Sequence, residues 1–306
     1  MVDQISTYSQ MTNALANIIS TQNSLYKLQQ QTTSAVQSSS YIDLYTANGS
    51  IDSFVNLKSG LSQVVNFQKN NEEIINRLSG MDVSMGGIID VASMLRDSIT
   101  KRINASGKST DLASVVKNNY LPLIESNLNT NLEGRYLFSG TATNIVPVSN
   151  LSTNDNRINN TATANYFSGN GTVLTAQITE ETQLSYGVTA DNQVFQSLIA
   201  LANSTADADK NNDLAALAQS EDVINQIIQD LTTLRAEVGN NMKAIESANN
   251  GFAIQQVTLS SMLNDVNATD FPSTITQITN YTTQLQASYK VLNLMYQTSL
   301  VEYINY

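Results

Sequence analysis

The sequence predicts a mainly α-helical protein with a small β insertion. The expected architecture is a long antiparallel helical bundle or coiled coil formed by both chain halves, with an antiparallel β domain between them. Three observations carry this reading. Apolar residues recur at three- and four-residue spacing through both halves. Between residues 134 and 193 the pattern changes to alternation, and Gly, Asn and Thr become frequent. Both ends are long amphipathic stretches with almost no charge: residues 1–26 hold one ionised side chain, Asp3, and residues 272–306 hold only Lys290 and Glu302.

The first helix is expected from about Gln4 to about Val36, with an apolar stripe at Ile5, Tyr8, Met11, Leu15, Ile18, Ile19, Leu25 and Leu28. Ser38-Ser39-Ser40 and Asn48-Gly49-Ser50 read as loop. A second helical pattern begins at Phe54, is interrupted at Gly80 and ends near Gly107. Ser109, Thr110 and Asp111 are candidate caps for a helix over Leu112–Leu132. Pro122 should kink or restart that helix. In the insertion, Leu174, Ala176 and Ile178 share one face, and Leu184, Tyr186 and Val188 repeat the alternation. Gly169-Asn170-Gly171 is the expected turn between strands. Helical spacing returns at Phe195, Leu198 and Leu201, then runs through Leu214, Leu217, Val223, Ile227, Ile228, Leu231, Leu234, Val238, Met242 and Ile245. Asp270 is a candidate cap for the last helix, with Pro272 in its first turn. Its stripe is Ile275, Ile278, Tyr281, Leu285, Tyr289, Leu292, Met295, Tyr296 and Leu300.

These patterns divide the chain into five segments. Residues 1–49 are an N-terminal amphipathic helix and loop, and 50–133 the first half of the bundle. Residues 134–193 are the β-rich insertion, 194–269 the second half of the bundle, and 270–306 a C-terminal amphipathic helix.

The terminal faces away from the stripes are Ser, Thr, Asn and Gln, which cost far less to bury than charges. A helix with one apolar stripe and an uncharged remainder suits burial among several neighbours. The expected assembly interface is therefore Ile5, Tyr8, Met11, Leu15, Ile18, Leu25 and Leu28 with Ile278, Leu285, Leu292, Met295, Leu300 and Tyr303. The alternative use of these stripes is the private core of a monomeric bundle.

Composition narrows function further. Charged residues are 13% and the net charge is −11, which argues against nucleic acid and against anionic membrane surfaces as partners. No run of about 18 apolar residues marks a membrane span. With no His and no Cys, imidazole acid–base chemistry and cysteine metal sites are excluded. Asp207, Asp209, Asn211 and Asp213 begin like a calcium loop, but Asn212 stands at the turn glycine and Ala218 at the bidentate glutamate. Glu180 and Glu181 are strand neighbours and point to opposite faces. No catalytic residue, cofactor or metal site is expected.

Gly134-Arg135-Tyr136-Leu137-Phe138-Ser139-Gly140-Thr141 resembles the GRYLF-G-T motif of the flagellar hook-associated protein 3 family, the hook–filament junction branch of the flagellin superfamily. Tyr166-Phe167-Ser168-Gly169-Asn170-Gly171 is similar to the family's Tyr-x-Gly-x-x-Gly turn, and Asn192-Gln193-Val194-Phe195 to its strand-to-helix return. Leu285-Gln286-Ala287-Ser288-Tyr289 with Ser299-Leu300-Val301-Glu302-Tyr303 is similar to its tail. Residues 34–52 depart from the basic segment of such proteins. The end also lacks the Leu-Leu-Arg finish of filament flagellins.

The resemblance implies a flagellin-like fold and a structural subunit of the extracellular flagellum at the hook–filament junction. It implies export through the type III channel without a cleaved signal peptide. The implied partners are copies of the chain in a ring or short helical layer, a hook-side junction protein, flagellin and an export chaperone. Gly134, Arg135, Tyr136, Leu137, Phe138, Gly140 and Thr141 are expected to be architectural, tying the β insertion to the bundle. Two other roles fit the same sequence: a filament flagellin, and a helical secreted adhesin whose β domain binds a ligand.

Overall fold

The computed structural model describes residues 2–34, 51–105, 111–153, 157–158, 161–267 and 271–304. For 2–9, 11, 34, 51, 158, 161, 267, 271 and 296–304 it describes the backbone alone. The helices are α1 (Val2–Ser34), α2 (Ile51–Asn104), α3 (Leu112–Val115), α4 (Leu121–Leu128), α5 (Gln193–Lys210), α6 (Leu214–Asn267) and α7 (Phe271–Ile304). A π-helical turn, Val116–Tyr120, joins α3 to α4. Three antiparallel pairs make up the β part among the described residues. They are β1 (Asn131–Leu132) with β2 (Arg135–Tyr136), β3 (Arg157–Ile158) with β4 (Thr161–Ala162), and β5 (Leu174–Gln177) with β6 (Gln183–Tyr186). This is the mainly α fold with a small β insertion that the spacing predicts. The loops expected at Ser38–Ser40 and Asn48–Ser50, and the caps expected at Ser109, Thr110 and Asp270, lie outside the described residues.

The chain forms two units, residues 64–254 and residues 1–63 with 255–306. Within the first unit α2 and α6 run antiparallel. Phe67 stacks on Phe252 at 5.5 Å, Asn71 bonds Asn249, Asp82 pairs with Arg235 and Thr100 bonds Glu221, so numbers rise along one helix as they fall along the other. The α2 face made of Leu78, Met81, Met85, Ile88, Leu95 and Ile99 is fully buried. It packs in one core with Leu121, Ile124 and Leu128, with Phe195, Leu198 and Ile199, and with Leu217, Ile224, Leu231 and Ile245. α2 is long and apolar enough to pass as a membrane span by composition. Many of its apolar residues are instead turned to this core, while Val65, Val83 and Met94 are exposed.

The structure refines several local expectations. α2 is not interrupted at Gly80. A Cβ there would lie 2.8 Å from Leu137 Cδ1, and one at Gly87 would lie 2.6 Å from Asn127 Oδ1, so these glycines admit neighbours to the helix surface. Asp111 does not cap α3: its backbone is left-handed (φ 55°) and its side chain makes no capping bond. The cap comes from a distant residue, as Ala113 N–H donates to Asp209 Oδ2 at 2.9 Å. Gly169-Asn170-Gly171 lies in the connection between the Val148–Phe167 bridge and β5, and the β5–β6 hairpin has its own turn. That turn is Ile178–Thr182, closed by Ile178 and Thr179 N–H to the Thr182 carbonyl. Asn170 clasps Thr141, donating to Thr141 Oγ1 at 2.6 Å. On α6, Ile224 rather than Val223 faces the core; Val223 is exposed. Pro122 does restart its helix, falling in the first turn of α4 directly after the π-helical turn.

Candidate assembly interface

The second unit contains both chain ends, and there α1 and α7 pack along each other. On α1 Ile18 is buried and Ala14, Thr21, Leu25, Leu28 and Thr32 are half-buried, as are Ser24 and Gln31 beside them. On α7 Thr274 and Leu285 are buried and Ile278, Tyr281, Ser288, Leu292 and Met295 are half-buried. Both runs alternate four and three residues, the seam of a two-helix coil. Ile18 (4% exposed) and Leu285 (8%) are its most buried large apolar residues. Gln22 and Tyr289 each follow a seam residue on the same flank of their helix, and Gln22 Nε2 donates to Tyr289 Oη at 2.6 Å. Matching flanks meet in this way when two helices run antiparallel.

The expected interface residues therefore divide. Ile18, Leu25 and Leu28, with Ile278, Leu285, Leu292 and Met295, line the seam inside the chain, buried or half-buried. Leu15 is exposed. Ile5, Tyr8, Met11, Leu300 and Tyr303 lie on helical backbone, and their side chains are outside the description. A second line of apolar residues faces outward: Leu15, Ile19 and Tyr26 on α1, with Ile275 and Tyr289 on the same flank of α7. Val291 and Leu294 are exposed on the opposite flank of α7. Tyr26, Val291 and Leu294 had no place in the expected interface. The signal that could have found them is the heptad position next to the seam, since each lies beside the stripe and not on it.

Several hydroxyls of these helices are satisfied by their own backbone. The hydroxyls of Thr21, Ser24, Thr32 and Thr33 on α1 donate to the carbonyl four residues earlier at 2.8–3.0 Å. Those of Thr276, Thr279, Thr282 and Thr283 on α7 do the same at 2.7–2.9 Å. A hydroxyl already bonded to its own backbone gives up little hydration on burial, so these positions can be covered at low cost.

The eight-residue motif sits in the other unit. Glu133 (φ 52°) and Gly134 (φ 82°) make the two-residue turn between β1 and β2, a turn that needs positive φ at both positions. Asn131 Oδ1 accepts from Gly134 N–H at 2.9 Å. Arg135 is exposed and Tyr136 half-buried. Leu137 and Phe138 enter the core, Phe138 edge-on to Phe195 at 6.1 Å. Phe138 and Ser139 carbonyls accept from Ala190 and Asn170. Gly140 has φ 67°, and a Cβ there would fall 1.9 Å from the Asn170 carbonyl oxygen. Thr141 completes the clasp with Asn170. Asn192 caps α5, accepting from Val194 N–H at 3.0 Å.

The acidic run at 207–213 is engaged by the protein itself. Asp207 pairs with Arg157. Asp209 holds buried Arg102 at 2.5 Å as well as the start of α3, and Asp213 Oδ1 accepts from Ala216 N–H at the start of α6. Among the described residues no group of three or more acidic side chains could hold a metal ion. The Arg235 guanidinium forks onto Asp82 at 2.7 and 2.8 Å. This bond holds the Asp82 carboxyl below its usual range and raises Arg235. Burial, then the neighbouring Asp191 charge, raises the Tyr166 phenol. Its hydroxyl donates to the Ala190 carbonyl at 2.8 Å.

Residues 222–304 match the family described as the bacterial flagellin C-terminal helical region. No curated protein matches the chain at a significant level. Among solved structures, FlgL of Bacillus cereus superposes with TM-score 0.55 at 17% identity, over 67% of this chain and 97% of that one. FlgL of Xanthomonas campestris gives 0.53 at 15%, over 68% and 99%. Flagellar hook-associated protein 3 (HAP-3) of Legionella pneumophila gives 0.52 at 12%, over 69% and 99%. The chain thus has the fold of these hook-associated proteins. The resemblance read from its motifs is borne out in the fold and, over residues 222–304, in the flagellin C-terminal region.

Proposed function

We propose that this chain is a structural subunit of the bacterial flagellum, standing at the junction between hook and filament. It builds into the axial structure by packing its terminal helices among copies of itself. The observation that carries this reading is the α1–α7 pair: nearly uncharged, with several of its hydroxyls self-bonded, and still showing apolar residues after its own seam is closed. The hook-associated fold and the flagellin C-terminal match support it. On this reading the chain is not an enzyme and works outside the cell, exported without a cleaved signal. Its partners are a hook-side junction protein, flagellin and an export chaperone. The motif residues 134–141 act as architecture, fixing the β insertion to the bundle.

Deletion of the encoding gene tests the assignment. Cells should keep hooks, lose attached filaments and shed flagellin into the medium; retained filaments would remove the junction role. The flagellin match over residues 222–304 favours one competing role, the filament subunit itself. Purified chain growing alone into long filaments would establish that role instead.

A further inference from the structure

A two-helix coil needs apolar residues only along its seam, whereas helices facing a larger bundle carry an added apolar line on one flank. The α1–α7 pair has that added line. On the flank marked by the Gln22–Tyr289 bond, α1 exposes Leu15, Ile19 and Tyr26, the last 69% exposed, and α7 exposes Ile275. The opposite flank is unequal. α1 shows Asn17, Ser24 and Gln31 there, and α7 shows Val291 (53%) and Leu294 (60%). One flank is thus broad and aromatic, and the other a narrow ridge one turn long.

We propose that the broad flank of one copy receives the Val291–Leu294 ridge of a second copy of this chain. The inference rests on the assembly role proposed above and specifies its contact. A second copy is the occupant because the chain carries net charge −11, so two copies repel wherever carboxylates face each other. Along residues 2–34 and 271–304 the charges are Asp3, Lys27, Lys290 and Glu302, which cancel, and there two copies can lie together without that repulsion. The two flanks differ, so the contact is head-to-tail. It leaves one broad flank and one ridge open at each step, and it generates a ring or helical layer rather than a closed two-fold dimer.

The test uses two full-length variants, Ile19→Asp/Tyr26→Asp and Val291→Asp/Leu294→Asp, followed by analytical ultracentrifugation. All four positions are exposed, so helix content by circular dichroism should match wild type. The milder pairs Ile19→Ser/Tyr26→Ser and Val291→Ser/Leu294→Ser repeat the comparison without added charge. Each aspartate variant alone should stay monomeric at concentrations roughly tenfold or more above the wild-type assembly threshold. An equimolar mixture should form a one-to-one pair and nothing longer, because each variant retains the flank the other lacks. Either variant assembling alone like wild type overturns the contact, as does a mixture that forms no pair. A wild-type chain that never associates overturns the assembly role itself, an outcome separable from failure of this contact.

Discussion

At the residue scale, single atoms decide several positions. Gly140 has both positive φ and no room for a side chain. Gly140→Ala should destabilise by more than about 2 kcal/mol, read from the urea midpoint. Gly134→Ala meets only the φ penalty, since nothing lies near its Cβ position, and should cost about 1 kcal/mol. Asp209 holds Arg102, itself 2% exposed, while also bonding the first turn of α3. Asp209→Ala leaves a buried guanidinium without its counter-charge and should cost about 3–5 kcal/mol. A loss below about 1 kcal/mol in chemical denaturation would show that Asn212, at 2.6 Å from Arg102 Nη2, suffices.

At the element scale, α2 and α6 are kept in register by pairs spaced along their length. The Asp82–Arg235 fork is partly exposed, so its contribution is discounted to about 0.5–1 kcal/mol. Its sign with pH is fixed by the lowered Asp82 carboxyl. The stabilisation is fully present above the ordinary carboxylate value near 3.8 and is lost as pH falls through the folded-state value. Asp82→Asn should therefore lower stability slightly at neutral pH and flatten its decline in acid, in matched denaturation curves. For the terminal pair, Leu292→Asp places a charge in the α1–α7 seam. It should abolish incorporation into flagella while residues 134–193 keep their fold, checked by protease resistance of that region. Normal incorporation would contradict the role given to the tail.

At the scale of the whole molecule, the side chains that ordinarily titrate near neutrality are missing: the chain has no His and no Cys. Association through nearly uncharged helices should also feel little screening. The assembly threshold of the purified chain should shift less than about twofold between pH 6 and pH 8. It should change as little when salt is raised, since no cluster of opposed charges lies along either terminal helix. A steep dependence on either variable would place the contacts on the charged part of the chain instead.

Much of this was legible in the sequence. Helical spacing marked both halves of the chain because a buried helix face must repeat every three or four residues, and alternation marked β5 and β6 for the corresponding reason in strands. The near absence of charge at both ends was visible at once, and with it their suitability for burial. Only the tertiary structure decided which apolar residues the chain keeps for itself. The sequence shows Leu15, Ile18 and Ile19 as one stripe; packing against α7 covers Ile18 and leaves Leu15 and Ile19 outside. It decided that Gly80 admits Leu137 where a break was expected, and that the cap of α3 comes from Asp209 about a hundred residues away in sequence. Periodicity records that a side chain is apolar, while its neighbour is set by the register of helices remote in the chain, which no local pattern encodes.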